Sequence, residues 1–204
     1  MSTSFTIFDV ETNGLHPGRS SVLSFSALHV RTWRSNGHRR FKVQQEFDRF
    51  YYPHEPYNYY AIKVNGLTQK VITQKRDRTG GDYPLHFSQD QDVPAFCRQV
   101  DLAVCHNTPF DTKFLKQAHG FEFPSTFCTM RNFTRYCSIS HPRFRIKWPK
   151  LEEAVQIICG RDDFEFHDSL ADCYAVLEIL KVMGNSAEVK GEHRWSELFD
   201  RLFS

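Results

Sequence analysis

The sequence predicts an α/β fold built on a mixed sheet, an antiparallel meander joined by parallel strands and flanked by helices. Two observations carry this. Three strand-like segments follow one another in the first quarter of the chain, joined by short turns. Helical segments then alternate with one further short apolar strand.

Phe5 to Val10 alternates aromatic and β-branched residues and reads as a strand, followed by turn chemistry in Glu11-Thr12-Asn13-Gly14. Val22 to Val30 is a second strand with smaller residues interleaved, and Phe41 to Tyr52 a third, ended by Pro53. Asn65-Gly66 breaks any long helix between Tyr57 and Ile72, and Thr68 caps a short helix beginning at Gln69. Thr79 to Gln91 is polar, with Gly80-Gly81 and Pro84, and reads as a mobile loop. A helix over Asp92 to Val100 with an Asp cap and Pro94 in its first turn leads into a buried strand, Leu102 to Cys105. Thr108 to His119 reads as a helix capped by Thr108 and ended by Gly120. Phe127 to Cys137 reads as helical, Ser138 to Lys150 as a basic loop, and Leu151 to Cys159 as a short amphipathic helix closed by Gly160. Asp168 to Met183 has the strongest helical periodicity, with Gly184 as terminator. A last helix is expected from His193 to Leu202, within a C-terminal segment spanning 185–204.

The chain has 204 residues, which suits a single domain over 1–204, and 40% apolar residues, enough for a core. No apolar run approaches the length of a membrane span and no signal peptide is visible, so a cytoplasmic protein is expected. The six cysteines (97, 105, 128, 137, 159, 173) lack CxxC spacing, which argues against a zinc knuckle or redox pair and for buried thiols. A net charge of +2 does not by itself announce a nucleic-acid binder. Its distribution says more, because cations gather in segments 31–42, 70–78 and 131–150. Each reads alone as a solvated face; together they suit a polyanionic substrate.

Asp9 and Glu11 are two apart on a strand, so both side chains leave one face while Val10 leaves the other. Paired carboxylates at the end of a buried strand are costly unless a hard cation joins them, although an exposed pair of this spacing is common. Asp111 falls in the first turn of a helix fed by a buried strand, where it could also be an ordinary capping choice. Asp172 lies on a helix flanked by Ala171, Cys173 and Tyr174, with His167 five residues earlier at the helix mouth.

Three stretches then carry a resemblance: Phe8-Asp9-Val10-Glu11-Thr12-Asn13-Gly14-Leu15, His106-Asn107-Thr108-Pro109-Phe110-Asp111, and His167 to Asp172. In order and spacing they resemble the DEDDh exonucleases, the DnaQ-like branch of the ribonuclease H-like fold. Asn65-Gly66-Leu67-Thr68, Cys128-Thr129-Met130 and Lys150-Leu151 also resemble family positions, so the match spans residues 5–183. The resemblance implies a ribonuclease H-like sheet and a 3′→5′ exonuclease that releases nucleoside 5′-monophosphates. Asp9, Glu11, Asp111 and Asp172 would bind two Mg²⁺ ions, with Mn²⁺ as substitute, and His167 would act as general base. Backbone groups of Thr12, Asn13, Gly14 and Leu15 would hold the terminal nucleotide, with Leu15 wedged against its base. Asn107 and Phe110 would position the strand, though Phe110 reads equally as a core aromatic. Asp168 reads as the helix cap.

Ser24 stands where the family usually carries an acidic or amide residue. Tyr51, Tyr52, Tyr57, Tyr59 and Tyr60 suit packing, with stacking on single-stranded bases as the alternative. The expected partner is a single-stranded 3′ end, DNA rather than RNA. An RNA-trimming exonuclease is the enzymatic alternative. A polymerase-associated or assembly subunit is the alternative of another class. Trp195, Leu198, Phe199, Leu202 and Phe203 could complete the core, make a homodimer or dock a protein partner.

Overall fold

A computed structural model describes residues 2–186 together with Phe199, Leu202 and Phe203. Three antiparallel strands, β1 (Ser2–Thr12), β2 (Val22–Ser35) and β3 (His38–Phe50), form the meander. Two short helices follow, α1 (Tyr59–Asn65) and α2 (Gln69–Arg78), then α3 (Asp92–Cys97), β4 (Leu102–Cys105) and α4 (Thr108–His119). The rest comprises β5 (Ser125–Cys128), α5 (Thr129–Cys137), a small hairpin of β6 (Ser140–His141) and β7 (Arg145–Ile146), α6 (Leu151–Cys159) and α7 (Ser169–Met183). The main sheet runs β3-β2-β1-β4-β5, with β4 and β5 parallel to β1. This is the mixed α/β sheet that the strand pattern predicts. Most of the expected C-terminal helix, Trp195 and Leu198 included, lies outside the described residues. Phe199 and Phe203 are buried among Phe5, Phe127 and Phe133.

The period of the strands decides the layers. Phe5 and Ile7 face one core, built with α5, α6 and α7, while Phe8 and Val10 face another, built with α3 and α4. β2 is covered on both faces from Val22 to Val30, which is why its side chains there are buried without alternation. Its interleaved serines have a packing role. Ser26 Oγ lies 2.7 Å from Ser169 Oγ, and Ser169 donates to Ser24 Oγ at 2.9 Å. Small side chains here let the first turn of α7 approach the sheet, so Ser24 is matched to Ser169.

Several local expectations give way to tertiary bonding. Residues Phe127 and Cys128 do not start a helix; they belong to β5, paired with Val104 and Cys105, before α5 begins at Thr129. Four residues are too few for alternation to show, so the strand is set by its neighbour. The cap of α4 is Asn107 in the left-handed region (φ 71°), not Thr108, whose hydroxyl bonds back to the Cys105 and Phe127 carbonyls. At α3 the capping carboxylate is Asp90, which accepts the Asp92 amide, and the helix stops at Cys97. Thr68 does cap α2, accepting from the Val71 amide. Five of the six cysteines are buried. No helix of the described residues is long and apolar enough to cross a membrane.

The expected mobile loop 79–91 is instead pinned. Arg76, 5% exposed, donates to the carbonyls of Phe50, Gly81, Tyr83 and Pro84 at 2.7–3.1 Å, and lies over the rings of Tyr52 and Tyr83. Phe87 and Asp90 at the loop's far end are buried, and Asp90 takes both Arg49 and the Tyr51 hydroxyl. One guanidinium thus satisfies three carbonyls of an otherwise irregular segment and ties them to the end of β3. Arg76→Met should leave those acceptors unpaired and destabilise the protein by about 2–4 kcal/mol in urea unfolding. A loss below about 0.5 kcal/mol, the size of an ordinary surface change, would show that the loop is held by other means.

Candidate active site

β1 projects beyond its parallel neighbour. Its pairing with β4 is confined to Thr6 and Ile7, so Asp9 and Glu11 stand at an open crevice on the α7 face. α7 enters this crevice with its N-terminal turn, bringing Asp172. One carboxylate oxygen from each of Asp9, Glu11 and Asp172 lies within 4.8 Å of the others. Asp111 reaches the cluster from the first turn of α4. Its Oδ1 accepts the Val10 amide at 3.3 Å, filling the place where a sheet partner is missing. It is close enough to Asp9 to raise it, and is itself raised by Glu11 and Asp172.

Four carboxylates gathered with little water raise one another. Burial is the largest cause in each case. Asp9 and Asp111 are pushed well above the usual carboxylate range by burial and by their neighbours. Burial and Asp172 push Glu11 to about 8, against a hydrogen bond from Asn65. Burial pushes Asp172 to about 7, opposed by the His167 backbone amide and helped by Asp168 and Glu152. Asp111 Oδ2 and Asp172 Oδ1 are buried and have no hydrogen-bond partner among the described residues. Orphaned oxygens of this type, on hard acidic ligands, fit divalent cations.

His167 is exposed beside the cluster, in the left-handed region (φ 68°). Together with Ser24, Asn65, Lys75 and Asp168 it lines a cavity of about 360 Å³. Asp168 caps α7 by accepting the Ala171 amide, and pairs with Lys75 Nζ at 2.5 Å. Lys75, from the other wall, therefore fixes the turn that carries both His167 and Asp172.

The segment after β1 is braced from behind. Asn13 is buried, and its amide group bonds Glu55, the Pro56 carbonyl and the Asn58 amide, while its backbone N–H goes to Ser21. Its side chain shapes the loop. Thr12 Oγ1 donates to the Gly14 carbonyl. Gly14 permits a close approach, since a Cβ there would stand 2.7 Å from Ser20 Oγ. Leu15 is 75% exposed, an apolar side chain held in the open. Asn107 sits at the head of α4, and Phe110 packs on Phe114 at the edge of the core. Among the tyrosines, Tyr51 is fully buried, whereas Tyr59 and Tyr60 are exposed on α1.

Three supporting residues were not assigned a role from the sequence. Asn65 bonds Glu11 and the Thr12 carbonyl. Lys75 is the pairing cation just described. His106 is buried, and burial pushes its pKa down to about 4, so it is neutral. The Pro149 carbonyl can only accept, so Nε2 carries the proton and Nδ1 accepts from Thr129 Oγ1, both at 3.0 Å. The sequence signals were that His106 opens the stretch ending at Asp111 and that Asn65 lies in a turn resembling a family position; neither told what the side chain would touch.

The exonuclease family model RNase_T matches residues 6–180. A DNA polymerase III PolC-type of Halalkalibacterium halodurans is 29% identical over 122 residues, 60% of this chain and 7% of its own. The PolC-type polymerase III of Bacillus subtilis is 22% identical over 203 residues, 97% of this chain and 12% of its own. The chain thus spans only a small part of the curated relatives it matches. Among solved structures, E. coli exonuclease I bound to single-stranded DNA superposes with a TM-score of 0.62 at 16% identity, over 98% of this chain and 42% of that one. Its complex with a dT13 oligonucleotide gives 0.62 at 19%, over 98% and 43%. At these identities the likeness is one of fold.

The raised carboxylates give the metal-free protein a definite pH dependence. Their folded pKa values exceed the unfolded ones, so the folded state binds more protons, and stability falls as pH rises from about 4 towards 8. A divalent cation should relieve this. The gain in Tm on adding Mg²⁺ should therefore be larger at pH 8 than at pH 5.5. An equal gain at both values would detach the metal from these carboxylates.

Proposed function

The chain belongs to the exonuclease family, and from that premise we propose that it is a two-metal 3′→5′ exonuclease acting on single-stranded DNA ends. The observation that carries the reading is the convergence of Asp9, Glu11, Asp111 and Asp172 from three separate elements, with buried unpaired oxygens, beside an exposed histidine. Mutual repulsion of this kind costs the fold stability, and strongly perturbed carboxylates gathered in a crevice are a mark of functional sites.

These four carboxylates would hold two Mg²⁺ or Mn²⁺ ions. Bound there, the ions would supply charge neutralisation at the scissile phosphate and stabilise its attacking and leaving oxygens. The protein's own groups do the rest. His167 takes the proton of the attacking water as the new P–O bond forms. The bond from phosphorus to the 3′ oxygen of the penultimate nucleotide breaks, releasing a nucleoside 5′-monophosphate and leaving a new 3′-hydroxyl, whose proton comes from solvent. Lys75 and Asp168 hold the His167 turn in place. Leu15, exposed at the end of a braced loop, would lie against the terminal base, while Thr12 to Gly14 shape the loop beneath it.

DNA is favoured because both PolC-type relatives are DNA polymerases. The same observation favours a second reading, in which this segment works beside a polymerase. Gel filtration with candidate polymerase subunits tests that separately.

The main test is degradation of 5′-labelled single-stranded DNA, duplex DNA and RNA. Stepwise shortening from the 3′ end is expected, fastest on single-stranded DNA and abolished by EDTA. Asp9→Ala and Asp172→Ala should eliminate it, and His167→Ala should slow it by about 10²–10⁴-fold. Full activity in Asp172→Ala, or cleavage without metal, would overturn the mechanism.

A further inference from the structure

The hairpin of β6 and β7 is unlike the rest of the surface. From Phe123 to Leu151 the chain contains no Asp or Glu, yet it carries Arg131, Arg135, Arg143, Arg145, Lys147 and Lys150. Lys147 and Lys150 are spent on Glu153 and Glu152 at the head of α6. Arg131, Arg143 and Arg145 make no ion pair among the described residues, and all three are exposed. Large apolar side chains stand out between them. Phe144 is 65% exposed, Trp148 61% and Ile146 38%.

The aromatics and cations are arranged as pairs. The Arg143 guanidinium lies 5.5 Å from the Phe144 ring centroid, and that of Arg131 5.9 Å from Trp148. His141 stacks on Phe144 with centroids 5.0 Å apart. These contacts cover only part of each ring, so most of the aromatic surface on this acid-free cationic arm still faces solvent. The rings and cations together complement a polyanion whose repeating units also offer flat π faces.

The arm is also anchored to the carboxylate site. Its last carbonyl, on Pro149, is held by His106, the neighbour of Asn107 at the head of the helix carrying Asp111. Glu152, two residues after Lys150, is close enough to Asp172 to raise its pKa. The hairpin therefore projects from the rim of the crevice.

We infer that this hairpin and the residues after it, with Arg131 of α5 against Trp148, form a binding arm for single-stranded nucleic acid, which stacks bases on Phe144 and Trp148 and pairs phosphates with Arg131, Arg143 and Arg145. It would hold the strand upstream of the terminal nucleotide and so lengthen each encounter. This rests on the exonuclease reading for the strand's direction, but the contact itself needs no catalysis.

The test uses an oligothymidylate of about 20 nucleotides, longer than the ~4–16 that one groove holds, in EDTA so that binding is read without cleavage. Binding should quench tryptophan emission, and Trp148→Phe should remove most of that quench while keeping much of the affinity. Phe144→Ala with Trp148→Ala should weaken binding by at least about 30-fold, two stacked bases at the low end of their usual worth. Arg143→Gln with Arg145→Gln should lower the salt dependence of log K by about 1.4, two charges at the single-strand slope. Circular dichroism of each variant establishes folding. Unchanged affinity and salt slope in folded variants would overturn the inference, as would variants that alter only the oligomeric state, which would make the arm a protein interface. Wild-type hydrolysis of the p-nitrophenyl ester of thymidine 5′-monophosphate with Mg²⁺ tests the catalytic reading by itself. A wild type that binds through the arm but does not hydrolyse keeps this inference and loses that one.

Discussion

Everything in this molecule is arranged around a repulsion. Four carboxylates lie close together where there is little water to separate them, and the sheet, α4 and α7 are fixed so that they cannot move apart. A fold governed by stability alone would disperse them or give each a cation from the chain. Here Lys75, which lines the same cavity as His167, is paired with Asp168 rather than with the cluster. The cluster's charge is left for something that is not part of the polypeptide.

The scaffold that holds the charges together is redundant in its anchoring. β1 is clamped between a long antiparallel partner and a short parallel one, and one large core packs on each face. The two loops around the crevice are braced by polar side chains that face inward. Glu55 takes the Ser21 amide and hydroxyl together with the Asn13 amide group, and Arg76 gathers four carbonyls. Buried polar networks of this kind fix one geometry, because any other leaves a partner unsatisfied.

Much of this was legible from residue order, and the parts that were not share a cause. The three-strand meander, the break at Asn65-Gly66 and the helix from Ser169 are written in local periodicity and caps, which act over a few residues. β5 is only four residues long and owes its conformation to β4, and the loop after α2 owes its order to one arginine that ties three of its carbonyls to Phe50 at the end of β3, a pattern no periodicity encodes. In the site, the spacing of Asp9 and Glu11 announced a shared face. The Asp111 bond to Val10 spans about a hundred positions, and no local pattern encodes it. The same holds for Asn65 on Glu11 and for His106 beneath the basic hairpin.

Asp111 performs two duties with one side chain, and they pull in opposite directions. Its Oδ1 completes the hydrogen bonding of β1, while its negative charge adds to the repulsion that destabilises the folded state. An asparagine would retain the oxygen that braces the strand and discard the charge. The genetic code places that exchange one nucleotide away. A lineage under pressure only to stay folded thus has a short, downhill path to a sturdier protein. On the proposed two-metal reading that exchange would also silence the enzyme, so the fold and the chemistry would favour different residues at this one position.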